Sequence, residues 1–341
     1  MRILNIEGNT FVPMFRRLGH DVLSIGAWNG CDIVPKEPLS TKNLWRILEG
    51  RGFLPDLIFW CDMCRPPWVM GLETLPAVSI AFSVDQYCNP WHVPYCAGFD
   101  AVLVAQKDYL PLFEDPRLPR PAEWFPLFCD PAGDRDPKLL RDILVSFVGT
   151  LDPPLNPLRA PFLRGFQRHV PLVVRQGDYR RVFAQSALVL NQSAVNELNY
   201  RLFQAMSCGA AVLTEDVGNG LTELFTPGED LYVYRRGDVP DAVRTARQAL
   251  ASPQLAEVAA SGQRKTRTRH SVAARARRVL DLADKLLADG APRWRKANAA
   301  LVREETARAY AMLAVDEGLP LPSADRSHYA SAAARLACVS L

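Results

Sequence analysis

Short runs of mostly apolar residues alternate along the chain with stretches whose apolar positions recur at helical spacing. Arg2 to Ile6, Val22 to Ile25, Leu57 to Trp60, Ala77 to Phe82, Ala101 to Ala105 and Trp124 to Leu127 are such runs. A short run that is apolar on both faces suits a strand of a parallel sheet covered by helices on either side. Phe11 to Leu18 reads as a helix, and Gly19 then leads into the second run. This strand–helix–Gly–strand opening predicts βα units. After Phe128 comes a polar, proline-bearing stretch, Cys129 to Pro137, and the pattern restarts with a strand at Ile143 to Val148 followed by Gly149. The restart predicts a domain boundary near 130–142. The expected organisation is an N-terminal Rossmann-like domain over 1–135, a second over 136–290, and a helical extension over 291–341.

The second domain holds the most informative stretch, Asn191 to Thr214. It follows an apolar strand, Ser186 to Leu190. Leu198, Leu202, Ala205 and Met206 then share one helical face, Gly209 marks a helix end, and Ala210 to Thr214 is the next strand. Such a unit presents a helix N-terminus to an anionic ligand. Arg201 stands in the first turns of that helix, where packing alone does not call for a cation. The last helix of the domain is capped by Ser271, with Ala276, Val279, Leu280, Ala283, Leu286 and Leu287 as its apolar face. Beyond Pro292, helices are expected at Lys296 to Leu313 and at Ser327 to Ala337. They suggest a helical hairpin, and one hairpin does not make a repeat array.

Composition narrows the classes. The chain has 341 residues, 48% hydrophobic and 23% charged, enough for two ordinary globular cores. A net charge of +3 does not by itself mark a nucleic-acid binder. MRILNIEGNT opens as a strand and not as a signal peptide, and no apolar stretch nears the roughly 18 residues of a membrane span. The eight scattered cysteines fit reduced thiols in a cytoplasm. No G-x-G-x-x-G follows the first strand, which argues against a nicotinamide or flavin enzyme.

The segment Asn199-Tyr-Arg201-Leu-Phe203-Gln204-Ala-Met-Ser-Cys-Gly209 resembles the N-x-R-x-F-E-A-x-A-C-G signature of CgeB-like (spore maturation protein-like) glycosyltransferases, part of the group-1 glycosyltransferase superfamily. The likeness continues through Asn219-Gly-Leu-Thr-Glu223-Leu-Phe225, Gly228 and Tyr234. It extends back through Phe147-Val-Gly149, Arg159, Phe162-Leu163 and Gly177-x-Tyr179, and forward to His270 and Arg275. In the first domain it rests on Asp85, Trp91-His92, Phe99-Asp100, Gln106-Lys107, Tyr109, Trp124-Phe-Pro126-Leu127 and Asp130-Pro131. Two departures stand out. Gln204 replaces a glutamate that holds the donor's ribose in the superfamily, and Asp85-Gln-Tyr87 replaces Asp-x-His.

The resemblance implies a GT-B fold: α/β, with two Rossmann-like domains whose mostly parallel sheets face an interdomain cleft. It implies a glycosyltransferase that moves a sugar from a nucleoside-diphosphate sugar, with a UDP-sugar as first choice, to a protein, glycan or small-molecule acceptor. The leaving diphosphate needs cations and helix-terminal N–H groups. Arg201 is the first candidate, because a guanidinium matches phosphate oxygens. Arg159 and the loop after Gly149 come next, Gln204 would face the ribose, and Asn219, Gly220 and Glu223 lie on a loop near sugar or phosphates. Tyr179 and Asn199 complete the donor-side set. Asp85 and His92 are the acid–base candidates, each also readable as a capping or packed residue. No metal or further cofactor is expected, since protein cations serve instead and the chain shows no obvious Asp-x-Asp pair to hold one. Retention at the anomeric carbon is favoured over inversion. The alternative readings are a catalytically degenerate nucleotide-sugar binder or scaffold and, after it, a nucleotide-sugar epimerase.

Two other signals are set against bland explanations. Cys61-Asp-Met-Cys64, with Cys88 and Cys96, has metal-ligand types but no matching second pair, so buried thiols are expected. Arg264 to Arg278 holds seven basic residues and no acid, yet lacks interleaved aromatics, so solvated helix ends are expected and not nucleic-acid binding. The C-terminal helices are a candidate surface for a homo-oligomer or another protein contact.

Overall fold

The computed structural model describes residues 1–151, 156–319 and 321–338. It divides into two compact units, Met1–Phe125 with Ala276–Leu341, and Pro126–Arg275.

Unit 1 is built on a parallel six-stranded sheet of order β2-β1-β3-β4-β5-β6. In chain order the elements are β1 (Arg2–Glu7), α1 (Val12–Arg17), β2 (Asp21–Ile25), α2 (Thr41–Gly50), β3 (Leu57–Cys61), β4 (Val78–Ser83), α3 (His92–Cys96), β5 (Ala101–Val104) and β6 (Glu123–Trp124). β3 and β4 are buried at every position, which is why they read as unbroken apolar runs. One face of the sheet packs Phe11, Phe15, Phe59, Phe82 and Phe125 edge to face. The other packs Trp60, Trp91, Tyr95 and Phe99. The strand expected over Trp124 to Leu127 is only two residues long, because Pro126 has no N–H to extend the ladder.

Unit 2 carries a parallel five-stranded sheet of order β11-β10-β9-β7-β8. Its elements are β7 (Ile143–Val148), α4 (Arg159–Gln167), β8 (Val173–Arg175), α5 (Arg180–Ala184), β9 (Ser186–Asn191), α6 (Tyr200–Ser207), β10 (Ala211–Glu215), α7 (Leu221–Leu224), β11 (Tyr232–Tyr234), α8 (Val239–Ala251) and α9 (Leu255–Arg269). α4 and α8 cover one face, with Phe162, Phe166, Ala242 and Ala246 buried against Val145, Leu188 and Leu213. α6 packs on α9 and β10. Gly209 ends α6 at φ +82, as its place in the sequence requires.

The division differs from the three consecutive segments of the sequence reading. Cys129 pairs with the segment before α10 (Val272–Ala288), its N–H donating to His270 O at 2.9 Å and its carbonyl accepting from Val272 N at 2.8 Å. Unit 2 therefore begins at Pro126, ahead of the polar stretch. Ser271 caps α10 as expected, its hydroxyl accepting from Ala274 N at 3.3 Å. From Ala276 onward that helix belongs to unit 1. Its apolar face is buried except Leu287, which is 43% exposed.

The chain beyond α10 forms α11 (Pro292–Ala297), α12 (Ala299–Val315) and α13 (Ser323–Cys338). These helices are part of unit 1's core and not an extension. Tyr310, Leu313 and Tyr329 share the cluster of Trp60 and Tyr95, and Tyr329 donates to Pro67 O at 3.1 Å. Arg295, 4% exposed, pairs with Asp100 at 2.9 Å and donates to the carbonyls of Glu73 and Ala77.

Candidate functional site

Parallel strands that end together leave their final carbonyls and following loops along one sheet edge, where open α/β folds bind ligands. In unit 2 that edge holds a buried and a partly buried arginine. Arg201, second residue of α6, donates from Nε to Val148 O at 2.7 Å. From Nη1 it donates to Asn191 Oδ1 at 2.9 Å and Gln192 O at 3.1 Å. Arg159, first residue of α4, donates from Nε to Gln192 Oε1 at 2.7 Å, from Nη1 to Thr150 O at 2.9 Å and from Nη2 to Gln192 O at 3.1 Å. Both guanidinium carbons lie over the Phe147 ring, Arg201 at 4.4 Å and Arg159 at 5.6 Å from its centroid.

These two cations strain one another. Burial, and after it the charge of Arg159, push Arg201 down to about 9, and burial also lowers Arg159. Among the described residues neither guanidinium lies within ion-pair distance of a carboxylate. Arg201 Nη2 makes no hydrogen bond among those residues and stands against Gly149, where an added Cβ would meet it at 2.2 Å. A side chain at position 149 would thus occupy the place of the free end of the fork. The arrangement is an electropositive seat that can take an anion at low cost.

The other donor-side candidates divide. Asn199 caps α6, its side chain accepting from Leu202 N at 3.3 Å, so its role is to set the helix start. Gln204 lies one turn beyond Arg201, partly exposed, its amide without a hydrogen bond among the described residues. Asn219, at φ +50, donates to Asn196 O in the loop before α6, and Gly220, at φ +76, starts α7. Glu223 is exposed on α7. Tyr179 is not brought to the arginines. Its hydroxyl donates to Asp134 at 2.7 Å, and the carbonyl of Asp134 receives Ser207 and Arg267 at the far end of α6. Asp134-Arg-Asp136 is an Asp-x-Asp pair that the sequence reading passed over. Its second carboxylate is engaged by Lys138 and Arg141. His270 is buried and bonded to Arg275, whose Nε donates to Pro126 O at 2.7 Å; both tie the start of α10 to the start of unit 2.

Three residues of the site escaped the sequence reading. Asn191 ends β9 and Gln192 follows it, and between them they accept from both guanidiniums. Glu215, 2% exposed at the end of β10, accepts from Ser193 N and Oγ at 3.0 and 3.1 Å. It also accepts from Gly237 N at 3.3 Å. The signal was present, since Asn191-Gln192-Ser193 turns polar at the end of an apolar strand. A cavity of about 490 Å³ opens beside them, lined by Asn156, Phe162, Gln192, Glu215 and Arg236.

Unit 1 places Asp85 and His92 on the loop and helix after β4. Tyr87 donates to Asp85 Oδ1 at 2.8 Å, and burial followed by the charge of Asp62 raises the Asp85 carboxyl. His92 is fully buried. Its Nδ1 pairs with Ser83 Oγ at 2.8 Å and its Nε2 lies 3.8 Å from Asp62 Oδ2, while burial pushes it down to about 3. It is a neutral packed histidine under the loop that carries Asp85. Of the cysteines of the C-x-x-C stretch, Cys61 is buried and Cys64 exposed, and both are free thiols.

Residues 152–281 match the family model described as glycosyl transferase-like. No curated protein matches the chain in sequence. Its fold is that of the GT-B glycosyltransferases. Anabaena Alr3699/HepE, solved with UDP and glucose, aligns with a TM-score of 0.62 at 12% identity over 84% of this chain and 100% of that one. A sucrose-phosphate synthase from Thermosynechococcus elongatus gives 0.58 at 12% over 85% and 100%. A glycosyltransferase from Rickettsia africae ESF-5 gives 0.58 at 10% over 84% and 98%.

Proposed function

We propose that the protein is a glycosyltransferase of the CgeB-like group that takes a nucleoside-diphosphate sugar, UDP-linked by first choice, and transfers the sugar with retention and without a metal ion. The observation that carries this reading is the Arg159–Arg201 pair, one guanidinium buried and one partly buried, without a carboxylate partner among the described residues, at the ends of β7 and β9 and the start of α6. A diphosphate supplies the missing negative charge. Its oxygens accept the N–H groups of Arg201 Nη2, and the helix start adds a favourable dipole. Charge that builds on the leaving diphosphate meets the same donors, so they stabilise the transition state more than the ground state. Gln204, one turn on, faces the ribose. In retention the departing phosphate accepts the acceptor's proton, and Asp85 orients the acceptor hydroxyl. The Anabaena protein, solved with UDP-glucose, makes a UDP-sugar the natural first donor to test.

The experiment is donor turnover across a panel of UDP-, GDP- and dTDP-sugars, read as nucleotide release. A transferase releases nucleotide with at least one of them, faster with its acceptor. The second reading, a degenerate nucleotide-sugar binder, is favoured by Gln204 and Tyr87 where relatives have Glu and His. It predicts thermal stabilisation by a donor with no nucleotide released.

A further inference from the structure

Asp62 is the residue after β3, and its side chain is fully buried. Its Oδ1 accepts from Cys64 N at 2.8 Å, and its Oδ2 accepts from Val84 N and Asp85 N at 2.9 Å each. One carboxylate thus holds the beginnings of the loops after β3 and β4, neighbouring strands of unit 1. It keeps Cys64 at φ +56, a left-handed backbone that a non-glycine residue adopts only where its surroundings fix it. Asp85 is held from its other side as well. Its carbonyl accepts from Asn89 Nδ2 at 2.9 Å, and its Oδ1 accepts from Tyr87.

No cation offsets the buried charge of Asp62. Among the described residues no lysine or arginine lies within ion-pair distance of it, and His92, with Nε2 3.8 Å away, is neutral. A buried carboxylate compensated only by N–H groups is costly. The opposite end of the same sheet shows the cheaper arrangement. Asp100, just before β5, accepts from Ser79 N at 2.8 Å and so ties β4 to β5, but it is paired with Arg295 at 2.9 Å. Holding backbone in this fold therefore does not require a lone charge. The lone charge stands at the strand ends where open α/β sheets bind ligands, and one of the N–H groups it holds belongs to the acid–base candidate Asp85.

We propose that Asp62 is a positioning residue for the transfer reaction, acting through Asp85 alone by fixing its backbone N–H and hence the direction of its carboxylate. Being fully buried, Asp62 does not touch the acceptor. The kinetic consequence rests on the acceptor role proposed for Asp85; the hold on the loop does not.

The test is a double-mutant cycle on the full chain, with UDP-glucose as the first donor, water as acceptor and UDP release as the readout. Amide hydrogen exchange and UDP titration calorimetry accompany it. An amide at position 62 has one accepting oxygen, so Asp62→Asn serves the Cys64 side or the Val84–Asp85 side but not both. It is expected to speed exchange on the side it abandons and to lower kcat about tenfold, with UDP affinity unchanged because Arg159 and Arg201 lie in unit 2. Asp62→Ala releases both sides and should lower kcat about a hundredfold, the scale of a misplaced reacting group; if it does not fold, Asp62→Asn decides. Because Asp62 acts only through Asp85, adding Asp62→Asn to Asp85→Asn should change kcat by less than about threefold. Asp100→Asn is the control, expected to lower the melting temperature while leaving kcat unchanged below it. An Asp62→Asn kcat within twofold of the unsubstituted protein, or a double variant in which the two losses multiply, would overturn the proposal. Fast exchange at Val84 and Asp85 in the unsubstituted protein would overturn the hold on the loop. If that protein releases nucleotide from no donor of the panel, the proposed function fails and the kinetic claim with it, while exchange still decides whether Asp62 holds the loop.

Discussion

Replacing Arg201 by Met keeps length and apolar contact while removing the fork. Of its five N–H groups, Nε uses one on Val148 O and Nη1 uses two on Asn191 and Gln192. The two on Nη2 are left for the diphosphate. Charge-assisted hydrogen bonds are worth about 1.5–3 kcal/mol each, so losing two costs at least ~3 kcal/mol of binding. That is about two decades in Kd. Arg201→Lys restores a charge but cannot make the three anchoring bonds and reach Nη2's place together, so it should recover no more than about one decade. Titration calorimetry with UDP measures both, and circular dichroism shows that the variants fold. A Kd for Arg201→Met within about threefold of the unsubstituted protein would refute the reasoning.

Gly149→Ala places a methyl 2.2 Å from Arg201 Nη2 and should weaken UDP binding by a similar amount, together with a lower melting temperature. Gln204→Glu should tighten UDP about fivefold, the worth of exchanging a neutral for a charged hydrogen bond to the ribose; titration calorimetry showing no change or a loss would remove Gln204 from the ribose. Glu7 is buried at the end of β1 and is raised by burial from 4.5 to about 8, against the pull of the Trp68, Val69 and Ala27 N–H groups. A group raised on folding contributes stability that is whole below its unfolded pKa and lost as pH rises through its folded one. Glu7→Gln should therefore gain on the unsubstituted protein between pH 5 and pH 9, by up to about 4 kcal/mol, in denaturant melts at the two pH values. Deleting the chain from residue 291 should unfold unit 1, since Tyr310 and Tyr329 leave its core; Tyr310→Ala alone should cost about 3–5 kcal/mol in urea unfolding.

Unit 1's strands and β7, β9 and β10 of unit 2 were legible as mostly apolar runs, because parallel strands buried on two faces have little polar side to interrupt them; β8 and β11, three residues each, were too short to read. β7 and β9 were found within a residue of their ends, and the helix bearing Arg201 was found with its terminal glycine. The unit boundaries were not legible. They depend on Cys129 pairing with His270 and Val272, a contact across more than a hundred residues that no local pattern reports. The final helices were misassigned for a related reason. Their Ala-rich, charged composition conceals a few large residues and one buried arginine, whose partners lie far back in the chain. At the site, Arg201 stood out as a cation in an apolar helical pattern, and Arg159 was named through the family resemblance. Asn191, Gln192 and Glu215 act by aiming other side chains, which spacing alone does not reveal. Tyr179 was placed at the donor by its motif, but its hydroxyl serves the opposite end of α6.

The most direct test of the central claim is a crystal structure with UDP bound. The account predicts diphosphate oxygens within hydrogen-bond distance of Arg201 Nη2, close to Gly149 and the start of α6. A well-ordered UDP whose diphosphate lies elsewhere, with Arg201 Nη2 still unpartnered, would contradict it.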